Sequence, residues 1–218
     1  MSRSYYPSGS LRDECEFYLG RRHGTRRAYS QEGFLELEAT YCNGNADGIM
    51  RRWSVRETLR EESNFREGAY EGRVRGWHEN GALQLDIEYH EDKPVDGETR
   101  TWHDNGKVAS VGSYKGGVKH GLWEEWHPNG RLSWSVRYEA GNVADGVWPV
   151  WHPNGQKMEE GRFSGGRREG TWTHWWPNGQ KKEEATYRGG ELDGVVRSWH
   201  ETGKDLPEQE WRTGGQVR

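Results

Sequence analysis

Residues 146–170 read GVWPVWHPNGQKMEEGRFSGGRREG, and residues 170–194 read GTWTHWWPNGQKKEEATYRGGELDG. The second stretch copies the first. Gly146, Gly170 and Gly194 are evenly spaced, Trp148 becomes Trp172, Trp151 becomes Trp175, and Phe163 becomes Tyr187. A period of this length, between successive opening glycines, marks a repeat architecture. Carried outward, it finds opening glycines at Gly24, Gly48, Gly72, Gly97 and Gly121 as well. An aromatic follows at the fifth position after each, from Tyr29, Trp53, Trp77 and Trp102 to Trp126, Trp151, Trp175 and Trp199. Another stands late in each unit, from Tyr41 and Phe65 to Tyr187 and Trp211. The array therefore covers residues 1–218 as one domain, with a partial unit at 1–23, regular repeats at 24–203 and a degenerate unit at 204–218.

Each unit reads as a β-hairpin. His127-Pro128-Asn129-Gly130 and its copies carry the chemistry of a tight turn, with Pro at a central position and Gly in the left-handed one. The return strand alternates, as in Leu132, Trp134, Val136 and Tyr138. Pairing out from the turn sets Trp126 against Leu132, Glu124 against Trp134 and Leu122 against Val136. On that register the row from Trp53 to Trp199 shares a face with the aliphatic residues and is the core, while Trp123, Trp148 and Trp172 point to the other face. The expectation is an all-β, elongated, single-layer antiparallel hairpin solenoid of about eight to nine 24-residue units. At about 4.8 Å per strand, some sixteen strands would extend roughly 75–80 Å.

Composition bounds the function. Only 31% of residues are hydrophobic, yet 13 are Trp and 10 are Tyr, so aromatic rings must supply most of the burial. A net charge of −4 disfavours general nucleic-acid binding. No apolar run is long enough for a membrane span, and the opening MSRSYYPSGSLRDE lacks the apolar centre of a signal peptide. Cys15 and Cys42 are the only cysteines, which fits a reducing, cytoplasmic setting. Cys15 occupies a position elsewhere taken by Ala, Ser or Gly, and reads as packing. No nucleophile elbow, phosphate loop or zinc-protease motif is present, so no enzyme and no cofactor are expected.

The unit G-x-W-x-x-W-x-x-N-G-Q-x-x-x-E-x-x-Y-x-x-G-x-x-x-G resembles the MORN repeat variant, and arrays of it resemble the bacterial YwqK-type antitoxins. The resemblance is strongest from Gly97 to Gly203. It implies a non-catalytic, protein-binding repeat protein, an antitoxin or immunity protein that neutralises a cognate toxin sterically. The alternatives are a structural or self-assembling scaffold and a lipid- or nucleic-acid-associated adaptor.

Three sets of side chains are candidates for contact. Trp123, Trp148 and Trp172, extended by Trp176 near its turn, form a local aromatic patch of the kind that anchors protein partners. Arg27, Arg51, Arg75 and Arg100, joined later by Arg197, precede the Trp row by two positions and suit either stacking on its rings or an alternative basic stripe. His78, His103, His127, His152 and His200 form a third row. Equivalent positions lie two strands, about 9.6 Å, apart, too far for one ion held at about 2.0–2.3 Å, so no metal site is expected. By the face assignment above, Trp148→Arg leaves folding intact and weakens partner binding, whereas Trp151→Arg unfolds the array locally.

Overall fold

The computed structural model describes residues 1–54, 57–212 and 215–217. Residues 213, 214 and 218 of the expected degenerate unit lie outside them. The described residues contain no helix and are antiparallel β-hairpins throughout, as the repeat predicts. They divide into two units. The first comprises Met1–Val108 with Tyr114–Val118, and the second Ala109–Ser113 with Lys119–Arg218.

Two kinds of glycine explain the repeat. The opening glycine lies at positive φ in every unit, from +71° at Gly170 to +149° at Gly146. Where the register across it is resolved, as between Ala39↔Met50 and Tyr41↔Ala46, the strand bulges there. Only glycine takes such a backbone without strain. The turn glycine closes the hairpin: Gly130 N–H donates to His127 O at 2.7 Å, and His127 N–H to Arg131 O at 2.8 Å.

A second bulge decides which face each side chain occupies. Leaving the turn, Trp126 opposes Leu132 as expected, but Glu125, not Glu124, opposes Trp134. Trp123 then opposes Val136, and Leu122 opposes Arg137. The same shift falls just before Tyr29, Trp53, Trp77, Trp151 and Trp175. One extra residue on the return strand, Ser133 in this hairpin, exchanges the faces. The assignment expected above is therefore reversed: Trp123, Trp148 and Trp172 stand with the Val136 and Tyr138 row, and the row of Trp126, Trp151 and Trp175 lies on the opposite face by strand alternation.

In the second unit that column is the core. Trp172 is 0% exposed and Trp123 is 5% exposed. Trp172 meets Phe163 at 5.1 Å and Trp148 at 6.2 Å between ring centroids, both nearly perpendicular, and Tyr187 at 6.3 Å. Space for the large rings comes from small partners. Trp172 opposes Ala185 and Trp148 opposes Gly161. A Cβ added to Gly161 would stand 2.0 Å from the Trp172 indole, and one on Gly112 2.0 Å from Trp123. Cations close the column from above. Lys119 lies 4.3 Å from the Trp123 centroid and Arg168 4.2 Å from that of Trp172. In the first unit the same positions are filled by smaller pairs, Met50 with Ser63 and Val74 with Ile87, and Tyr70 covers them by stacking on Phe65 and Tyr89. A column that matches large with small in each rung packs without requiring the same residue in each repeat.

Candidate interaction face

Consecutive turns are tied to one another. His78, His127 and His152 each donate from Nε2 to the carbonyl of the aromatic one repeat on, Trp102, Trp151 and Trp175, at 2.8–2.9 Å. A carbonyl only accepts, so Nε2 carries the proton. Asn80, Asn129 and Asn154 donate from Nδ2 to Asp104, Pro153 and Pro177 carbonyls at 2.6 Å, while their Oδ1 accepts from the backbone two positions on. The histidine row thus fastens repeat to repeat, and among the described residues no cluster of three His, Cys, Asp or Glu is placed to hold a metal. Trp176 takes the histidine position and does the same work, its Nε1–H donating to Trp199 O at 3.1 Å. We expect Asn154→Ala to cost about 1 kcal/mol, measured as a lower urea midpoint with unchanged slope.

The expected aromatic patch does not form a surface. Trp123 and Trp172 are buried, Trp148 is half-buried against Phe163 at 5.1 Å, and Trp176 is half-buried at its turn. A ring packed inside the column offers no area to a partner. The reason is the bulge: a single residue moved all three tryptophans of the column to the core face.

The other face differs between the two units. In the first unit it is a lattice of cross-strand ion pairs. Arg27 bonds Glu38 at 2.7 Å, Arg51 bonds Glu62 at 2.8 Å, and Arg75 lies 3.6 Å from both Glu62 and Asp86. Arg100 bonds Glu98, within its own strand, at 2.7 Å. The proposed stacking of this row on the tryptophans is replaced by carboxylate pairing. The cations over rings among the described residues are others, Arg22, Lys119, Lys157, Arg168, Lys181 and Lys182. A stripe so neutralised presents little net positive charge.

In the second unit the lattice is interrupted, with Glu124, Pro149 and Thr173 in the arginine positions, until Arg197 bonds Glu208 at 2.8 Å. Leu122 is 49% exposed and Val147 60% exposed. Each stands opposite an exposed arginine, Arg137 and Arg162, and neither arginine has a carboxylate within ion-pair distance among the described residues. Val195 continues the aliphatic positions, and the half-buried rings of Trp126, Trp151 and Trp175 lie on the same face. Aliphatic groups interleaved with free guanidiniums, backed by indoles, are the makings of a protein contact. Sequence reasoning missed Leu122, Val147, Arg137 and Arg162. Their signal was an aliphatic residue standing opposite an arginine, Leu122 with Arg137 and Val147 with Arg162, where earlier repeats carry Thr25 with Thr40 and Ile49 with Asn64.

Residues 95–115, 119–133, 144–164 and 168–188 match the model of the MORN repeat variant. These four segments are MORN-variant repeats. The matched segments run from the unit opening at Gly97 to that opening at Gly170, and hairpins with the same glycine spacing and bulge precede them at Gly24, Gly48 and Gly72. MORN repeats form repeat proteins that commonly bind proteins or lipids. No curated protein matches the sequence, so the likeness to YwqK-type antitoxins rests on the repeat pattern alone. Among solved structures, the chain is similar at 15% identity and a TM-score of 0.17 to one of TcdB2-TccC3-TEV, with 94% of this chain and 13% of that one covered. A structure of TcdB2-TccC3-Cdc42 is similar at 12% identity and a TM-score of 0.17, over 96% of this chain and 19% of that one. The chain thus spans less than a fifth of either. Among the described residues no helix is long and apolar enough to cross a membrane.

Proposed function

We infer that this MORN-variant array binds another protein through the open face of its second unit, without chemistry of its own, and acts as an antitoxin or immunity protein that blocks its target sterically. The observation that supports this is the pairing of exposed aliphatics with uncompensated arginines at Leu122, Arg137, Val147 and Arg162. Folding does not require them, because the buried column lies on the opposite face. Exposed apolar groups and unpaired charges gain most when a partner covers them, and free arginines select an acidic rim on that partner.

The test is co-expression and co-purification with proteins encoded beside its gene. Rescue from a toxic neighbour and a stable complex support the reading; no rescue and no complex with any neighbour overturn it. With a complex in hand, Arg162→Glu combined with Val147→Glu is expected to weaken it at least about 30-fold, a loss of roughly 2 kcal/mol for removing an interface anchor. The same pair should shift the melting transition little, since both positions face solvent.

A further inference from the structure

The first hairpins break the packing rule of the column. The residue two after each opening glycine is apolar or uncharged from Met50 onward, but in the unit opened by Gly24 it is Arg26. Arg26 stands opposite both Cys15 and Ala39, in the column itself, with three-quarters of its side chain covered. Its Nη2 and Nε meet Asp13 Oδ2 at 2.7 and 2.8 Å, and its guanidinium is held further into the charged form by Asp13 first and, after the opposing effect of burial, by Tyr41. An apolar residue would fill this position with no desolvation cost, as Met50 does one repeat later. A buried charge kept where the repeat supplies a cheaper solution is a sign of use.

What surrounds Arg26 is an open cleft of about 420 Å³. Arg12 and Arg22 line it with Arg26, and the acidic groups there are Asp13 and Glu36. Arg12 donates from Nε only to Ser4 Oγ at 3.4 Å, and Arg22 lies 5.4 Å from the Tyr41 ring centroid. Among the described residues neither has a carboxylate partner, and Glu36 has no cation. Three guanidiniums thus share one cleft, two of them with free donors. Planar forks of this kind match the oxygens of a phosphate group bidentately, and Glu36 offers an acceptor for a hydroxyl beside it. The volume lies within the range of small-molecule sites.

We propose that this cleft binds the phosphate group of a small phosphate monoester, with Arg26 at its floor and Arg12 and Arg22 on its rim. The test is calorimetric titration of the full chain at low salt with inorganic phosphate and glycerol 3-phosphate, beside retention on phosphatidate vesicles to separate a free ester from a lipid headgroup. Saturable binding in either arm is expected, weakened about tenfold by Arg22→Gln and by Arg26→Met, as for loss of a charge-assisted hydrogen bond. Arg22→Gln alters an exposed side chain, so its effect does not depend on the column. Arg26→Met with Asp13→Asn should melt no lower than the parent, because it restores the repeat's own solution. No saturable binding by the parent, or binding unchanged in Arg22→Gln and Arg26→Met, overturns the proposal. So does a double variant that melts far below a parent indifferent to phosphate, which would make Arg26 an ion-pairing residue only.

Discussion

Trp172→Ala is expected to lower the stability of the second unit by about 3–5 kcal/mol, the range for removing a buried aromatic. The ring is wholly enclosed, touching Phe163, Trp148 and Tyr187, with Arg168 above it. Its loss opens a cavity shared by consecutive hairpins. Trp172 Nε1 has no hydrogen-bond partner among the described residues, so the ring is held by packing and the cation, and Trp172→Phe should cost distinctly less than Trp172→Ala. Trp151→Ala is the comparison, since that half-buried ring lies on the open face and contributes its backbone carbonyl, not its side chain, to the clamp from His127. Urea unfolding followed by fluorescence and circular dichroism measures all three. Because neighbouring repeats stabilise one another, Trp172→Ala should also split one transition into two. Equal losses for Trp172→Ala and Trp151→Ala would contradict the face assignment. The same geometry reverses the pair of expectations drawn from alternation: Trp148→Arg should now be the destabilising change, by placing a charge against Phe163 and Trp172, and Trp151→Arg the tolerated one.

How much of this could be read beforehand depends on what kind of signal each feature leaves. Glycine at a fixed spacing and the Pro-Asn-Gly turn are backbone requirements, and each leaves a residue that only it explains; hairpin, turn and repeat boundaries follow from Gly121, Gly130 and Gly146 alone. The faces follow from counting residues outward from the turn, and the count is corrupted by one bulged residue whose identity is unremarkable: Ser133 looks like any polar strand residue. The first repeats lack a tryptophan at the position of Trp123, Trp148 and Trp172 and still fill the column. The opposing residue changes with them, Gly161 and Ala185 beside the indoles and Ile87 beside Val74. The ion-pair lattice left a signal that the stacking reading passed over, since Arg27 with Glu38 and Arg51 with Glu62 recur at one fixed spacing. The open face of the second unit was not legible, because Leu122 and Val147 become surface residues only once the bulge is placed.

Gly161→Val carries the same logic in the opposite direction. Gly161 needs no unusual backbone; what forbids a side chain is the Trp172 indole, 2.0 Å from where a Cβ would stand. That atom cannot be accommodated by a small shift, because Trp172 is wedged between Phe163 and Tyr187 and the strand is fixed by pairing on both sides. Overpacking of a filled site typically costs about 1–3 kcal/mol, and this one belongs at or beyond the upper end. Gly155→Ala, in a turn at positive φ, is the control for a purely conformational penalty of about 1 kcal/mol. The deciding measurement is the double variant. If Gly161 is small because Trp172 is large, Gly161→Val with Trp172→Ala should be more stable than the sum of the two single losses predicts, by roughly 1–3 kcal/mol, since each change fills or vacates the other's space. Strict additivity would mean that the glycine and the tryptophan occur together for separate reasons, and the column would lose its explanation for why large rings sit in some repeats and not in others.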